Sequence, residues 1–144
     1  MRRVRAIVQR VTRASVSVDG EPVAEIGPGL LVLLGVHRDD GPGQADRMAR
    51  KLSALRIFED ADGRMNRSVA DTGGQILCVS QFTLYGDTRK GNRPGFADAA
   101  PGADAEPLYE RVRAALGASG GRFGEHMQVS LVNDGPVTLL VEAA

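Results

Sequence analysis

The sequence predicts an α+β domain of mixed and antiparallel β-sheet with two helices packed on one side. Three observations lead there. Strand-like runs joined by turns occupy the chain from Val4 to Val36, two stretches with helical spacing interrupt the strand-like runs that follow, and turn residues mark most boundaries. At 144 residues the chain is read as one domain, residues 1–144, long enough to bury a core.

Residues 4 to 18, VRAIVQRVTRASVSV, alternate and are rich in valine, as a strand requires. Asp19-Gly20 is a two-residue hairpin signal, so residues 22–26 pair back. GPG at 27–29 turns the chain into LLVLLGV at 30–36, a continuous apolar run that fits a strand buried on both faces. The period then changes: Ala45, Met48, Ala49, Leu52 and Leu55 fall on one helical face. EDADGRMN is a polar turn, GGQILCVSQFTLYG reads as strand, and DTRKGNRPGF reads as loop. A second helix is expected over about 104–117, with Asp104 as N-cap, Leu108, Val112, Ala115 and Leu116 as its stripe, and Gly117 as its end. The segment QVSLVNDGPVTLLVE at 128–142 reads as two strands separated by Asn-Asp-Gly-Pro, giving the order β-β-β-α-β-α-β-β.

Composition excludes several function classes. Eighteen basic residues balance eighteen acidic ones, so no global field marks a nucleic-acid or membrane binder, and any such contact is local. Cys78 is the one cysteine, so no internal disulfide forms. Gln9 and Arg10 interrupt the N-terminal apolar run, and no stretch approaches the ~20 apolar residues of a membrane span. The expected location is the cytoplasm, with no membrane partner. Two histidines, His37 and His126, and one cysteine provide no metal-ligand spacing, so neither a metal site nor a cofactor is expected. Phosphate-binding glycine fingerprints and a G-x-S-x-G elbow are absent.

Four places carry chemical interest. If 78–84 is strand, Val79, Gln81 and Thr83 share one face, and Ser80, Phe82 and Leu84 the other. Polar Ser80, Gln81 and Thr83 then either line a site for a carbonyl oxygen and a water or sit at a sheet edge with no special role. Arg10 extends the side of Val4, Ala6 and Val8. A buried arginine there must be paired and is suited to holding backbone carbonyls, unless a bulge turns it outward. Gly135-Pro136 is an odd choice beside a strand, because proline lacks the ladder N–H. It is either a strand-initiating turn or a device that fixes two carbonyls in an unusual direction. Arg89, Lys90 and Arg93 sit in a loop that is either merely solvated or able to grip phosphates.

SQFTLYGDTRKG at 80–91 together with NDGPVT at 133–138 resembles the D-aminoacyl-tRNA deacylases. Supporting segments are IVQRVTRASVSVDG, LRIFEDADGRMNRSV and GRFGEHMQVSLVNDGPVTL, so the resemblance spans essentially the whole chain. One departure is Gly95, where serine is expected. The resemblance implies a barrel-like homodimer that hydrolyses the ester between a D-amino acid and the terminal ribose of a tRNA. It also implies that L-aminoacyl-tRNA is spared and glycine removed. In that family the Gly-Pro bond is cis and enters the active site of the other subunit, which here assigns Gly135 and Pro136 to substrate binding. Val137 and Thr138 complete that segment, and Arg10 matches the arginine that holds it. Ser80, Gln81, Phe82 and Thr83 match the motif at the ester.

Two chemical routes follow. Thr83 acts as nucleophile, although no histidine base is evident beside it. Alternatively, backbone N–H groups near Phe82 and Thr83 form an oxyanion hole while water attacks with help from the RNA 2′-hydroxyl, the route the resemblance favours. A small-ester hydrolase without RNA and a non-catalytic RNA-binding module are the other readings.

Overall fold

The computed structural model describes residues 3–144. Its axis is β1 (Val4–Val18). One edge of β1 pairs antiparallel first with β3 (Gly29–Gly35) and then with β2 (Glu21–Ile26), while the other edge pairs with β8 (Gln128–Ala143). Beyond β3, β6 (Gln75–Ser80) and β7 (Ser119–Gly120) continue the sheet in parallel. The mixed order β2-β1-β3-β6-β7, with β8 on β1, curls into a barrel-like sheet that brings β2 near β6 and β7. A small hairpin of β4 (Phe58–Glu59) and β5 (Met65–Arg67) stands apart.

Local chemistry explains the early elements. Asp19 and Gly20 both have positive φ, 50° and 81°, the geometry that lets a two-residue turn match strand twist. In β3, Leu30, Val32 and Leu34 pack toward the helices, while Leu31 packs into a second cluster on the opposite face. Fully buried leucines of this kind each contribute about 1.5–3 kcal/mol.

Helix α1 (Pro42–Ala54) buries Ala45, Met48, Ala49 and Leu52 as expected. Helix α3 (Gly102–Leu116) starts earlier than expected. Pro101 is its N-cap, Asp104 lies in its first turn, and its buried residues are Ala105, Tyr109 and Val112. The tyrosine explains the shift of face, because its hydroxyl donates to the Cys78 carbonyl at 2.6 Å and anchors the helix over β6. Gly117 ends the helix in the left-handed conformation, as expected. Arg111 on α3 grips Asp46 on α1 through two bonds of 2.7 and 3.0 Å. A third helix, α2 (Val69–Thr72), is a single turn between Ser68 and Gly73 that the sequence reading left out.

Two expectations about strands fail, both where the site is built. The C-terminal segment is one strand, not two. Thr138 lies opposite Gln9 and Asn133 opposite Val11, so residues 134–137 all stand against Arg10 alone. Pairing with β1 resumes on both sides, which makes the Gly-Pro segment a bulge rather than a turn. The second failure is β6, which ends at Ser80, after which Phe82–Tyr85 form a 3₁₀ turn. The Gln81 N–H still bonds the Leu34 carbonyl at 2.8 Å, but β3 ends one residue later. The chain closes on itself instead, through Leu84 N–H to the Gln81 carbonyl at 3.3 Å and Gly86 N–H to the Thr83 carbonyl at 2.9 Å. Gly35 makes room: a Cβ there would lie 3.0 Å from the Tyr85 ring and 3.1 Å from the Gln81 carbonyl. The expected alternation of Gln81 and Thr83 with Ser80, Phe82 and Leu84 therefore stops at Gln81.

Candidate active site

A cavity of about 510 Å³ opens at the C-terminal end of β6. Ser80, Gln81 and Phe82 form one wall, while Phe123 and the segment Gly124–Met127 form another. Thr83 does not line it. Its hydroxyl accepts a bond from the Gln81 side-chain amide, which ties it to the motif from behind. The first bond within the 3₁₀ turn is donated by Leu84, and Gln81 supplies no side-chain cap. The N–H groups of Phe82 and Thr83 thus open the turn as donors without intrahelical partners. Arg5 braces the turn from β1. It donates to the Leu84 carbonyl at 3.0 Å, lies 4.7 Å from the Tyr85 ring centroid and pairs with Glu142 at 3.0 Å. Phe82 is 54% exposed and meets Phe96 edge-on at 5.0 Å. Cys78 is no candidate nucleophile, since burial pushes its thiol up to about 12 and keeps it uncharged.

The second group of predicted residues surrounds the bulge. Arg10 is 8% exposed and faces inward, as alternation required. Its guanidinium donates to the carbonyls of Ile57 at 2.7 Å and Asp134 at 3.2 Å, and it lies 3.5 Å from the Asp134 carboxylate. Asn133, which the sequence reading did not single out, closes the bulge from inside. Its Oδ1 accepts the Val137 N–H at 3.2 Å and its Nδ2 donates to the Thr138 hydroxyl at 2.8 Å. Gln9 donates to the same hydroxyl at 3.3 Å. Val137 is buried in the helix-side core, so its side chain anchors the bulge. Gly135 and Pro136 are left exposed at its tip, joined by a cis peptide. Gly135 has φ +127°, and a Cβ there would lie 2.9 Å from Val137 Cγ2 and 3.1 Å from Arg10 Nη2.

The two groups do not meet within the described residues. None of Arg10 and residues 135–138 lines the cavity, and β1 and β3 lie between β8 and β6 in the sheet. The cavity wall of Phe123, Glu125, His126 and Met127 was not evident from the sequence. The available signal was a large aromatic residue in a glycine-flanked loop, GRFGEHM.

Comparison with known proteins decides the family. The family model described as D-Tyr-tRNA(Tyr) deacylase matches residues 7–142. The chain belongs to this family. It is 57% identical to a D-aminoacyl-tRNA deacylase of Symbiobacterium thermophilum, over 97% of this chain and 96% of that one. It is 59% identical to one of Anaeromyxobacter dehalogenans, over 97% of each chain. A solved structure titled c-Myc DNA Unwinding Element Binding Protein superposes with a TM-score of 0.92 at 44% identity, covering 97% of this chain and 99% of the other. A second, titled a probable eukaryotic D-amino acid tRNA deacylase, superposes with a TM-score of 0.78 at 20% identity over 97% and 99%, and shares the fold. Family membership makes the chain a deacylase, a hydrolase of carboxylic esters. Among the described residues no helix is long and apolar enough to cross a membrane.

Proposed function

We propose that this protein hydrolyses the ester of D-aminoacyl-tRNA and rejects the L form with the Gly135–Pro136 bulge of a second, identical subunit. The observation that carries the reading is the bulge itself. Arg10, Asn133 and Val137 fix it from three directions, yet its tip lies outside its own protomer's cavity. A backbone segment so firmly held, with glycine and a rigid proline ring at its tip, is suited to act as a wall for something else.

D and L substrates differ by exchange of hydrogen and side chain at one carbon. Attractive contacts cannot sort that exchange across many different side chains, but an immovable obstacle can. With the Gly135 and Pro136 carbonyls against the α-ammonium, an L side chain collides with backbone, while hydrogen fits. D-amino acids and glycine therefore enter. Association of two copies is supported by β8, whose outer edge has no strand beside it among the described residues and whose length exposes Val132, Leu139 and Leu140.

At the ester, the N–H groups of Phe82 and Thr83 bind the developing oxyanion, Ser80 and Gln81 orient the carbonyl, and water attacks with help from the neighbouring 2′-hydroxyl. One oxyanion donor is typically worth ~2.7–4 kcal/mol. The position of Thr83 outside the cavity lining favours this route over attack by Thr83. The test is a paired assay on D- and L-tyrosyl-tRNA with glycyl-tRNA as a third substrate. Release of D-tyrosine and glycine alone supports the reading, and equal release of L-tyrosine rules it out.

A further inference from the structure

The loop that follows the 3₁₀ turn is a built element. Asp87 and Gly95 close it with a pair of backbone bonds, Asp87 N–H to Gly95 carbonyl at 2.8 Å and the reverse at 2.9 Å. Gly95, the one departure from the expected serine, needs only its backbone for this. The next residue, Phe96, packs against Phe82, so the loop stands directly beside the cavity wall. Its own hollow, of about 400 Å³, is lined by Arg89, Lys90 and Arg93 together with Asp87 and Asp98.

The charges there do not cancel. Asp87 is occupied by Arg89 through bonds of 3.0 and 2.7 Å, a pairing that holds the Asp87 carboxyl down at about 2. Asp98 lies 3.7 Å from Arg38, which also donates to the Ala97 carbonyl at 3.1 Å. Lys90 and Arg93 are exposed and make no salt bridge among the described residues. A chain of zero net charge thus concentrates two unneutralised cations on a closed loop beside the cavity.

We propose that this loop is a phosphate-binding site for the RNA strand, in which Lys90 and Arg93 pair with phosphodiester oxygens just inside the esterified 3′ end; the assignment rests on the deacylase reading. The geometry suits that task. A terminal ribose in the cavity must trail its strand outward, and the Phe82–Phe96 pair is the partition between cavity and loop. Phosphate contacts of this kind position a nucleic acid without reading its sequence.

The experiment is equilibrium binding of uncharged tRNA from 50 to 200 mM salt, comparing the parent with Lys90→Ala/Arg93→Ala and Lys90→Glu/Arg93→Glu. Each single-strand phosphate contact adds ~0.7 to the slope of log affinity against log salt. The alanine pair should lower the slope by about 1.4 and weaken binding on the order of tenfold at 0.1 M salt. The glutamate pair should weaken it further, and Lys90→Arg/Arg93→Lys should restore parental binding. Unchanged slope and affinity in both charge-removing variants, with parental melting curves, overturn the proposal. So does a loss confined to duplex DNA of equal length, which would make the loop a DNA contact. Parallel deacylation by the parent keeps the two readings separable. A protein that binds tRNA through the loop but releases no D-tyrosine retains the phosphate site and loses the deacylase assignment.

Discussion

The turn at Ser80–Thr83 and the bulge at Asn133–Thr138 both mark places where a strand abandons its ladder, and they do so in opposite ways. At the turn the neighbouring strand runs out, and a 3₁₀ winding leaves N–H donors beside a cavity. At the bulge the neighbour continues, and surplus residues are pushed outward and held by side chains. One region presents backbone donors and the other backbone acceptors. An aminoacyl ester needs both, a donor for its carbonyl oxygen and an acceptor for its ammonium. The difference teaches that both regions present main chain, with the side chains of Arg5, Arg10 and Asn133 acting as braces, and the proposed recognition uses that main chain.

Breaking the bulge should do the most damage. Gly135→Ala introduces a Cβ into contact with Val137 and Arg10 at a φ of +127° that alanine avoids. Single-turnover deacylation of D-tyrosyl-tRNA should fall by about 100-fold or more, the scale of an ångström's misplacement. Retention of parental rates would show that the bulge tip is dispensable. Arg10→Ala comes next, because it orphans the Ile57 carbonyl and removes a buried brace. Denaturant unfolding should show a loss of about 2–4 kcal/mol. Cleavage of L-tyrosyl-tRNA should rise relative to the D form as the bulge loosens.

Asn133→Ala sharpens the comparison by loosening the bulge without touching the core. Losing two bonds costs about 1–2 kcal/mol. The decisive readout is chiral: the ratio of L to D cleavage should rise several-fold, and Asn133→Asp, which keeps the acceptor for the Val137 N–H, should recover most of the discrimination. A variant that merely melts earlier, with its ratio intact, would reduce Asn133 to a structural residue. Thr83→Ala at the turn and His126→Gln on the opposite cavity wall should have the smallest effects, within about tenfold of the parent rate in single-turnover assays, if backbone and RNA carry the chemistry as proposed. A loss approaching the ~10²–10⁴ of general acid–base catalysis in His126→Gln would make that cavity residue a base.

Much of this was legible locally. Asp19-Gly20, the apolar run in β3, the stripe of α1 and the stop at Gly117 each encode their structure within a few residues, and the structure follows them. Arg10 was half legible: alternation pointed it inward, a bulge could have turned it outward, and the structure buries it. What escaped was set by distant partners. Nothing in QVSLVNDGPVTLLVE reveals that β1 continues alongside both halves, so a bulge was read as a break between strands. Phe82–Tyr85 carries strand-forming residues, and only the end of β3 at Gly35 turns it into a 3₁₀ winding. Asn133 escaped because its partners, Val137 and Thr138, come near only once the bulge exists. The far cavity wall at Phe123–Met127 met Ser80 through tertiary packing that no periodicity reports.

The central claim is that each cavity is completed by the backbone of another subunit, and subunit mixing tests it directly. One variant, Gly135→Ala, has a sound cavity and a spoiled bulge; the other, Ser80→Trp, has a filled cavity and a sound bulge. Each alone should be nearly inactive on D-tyrosyl-tRNA. Co-assembled in equal amounts, they form mixed dimers with one complete site, and activity should return to roughly a quarter of the parental value per site. No recovery, in mixtures shown to contain the mixed dimer, would contradict the account.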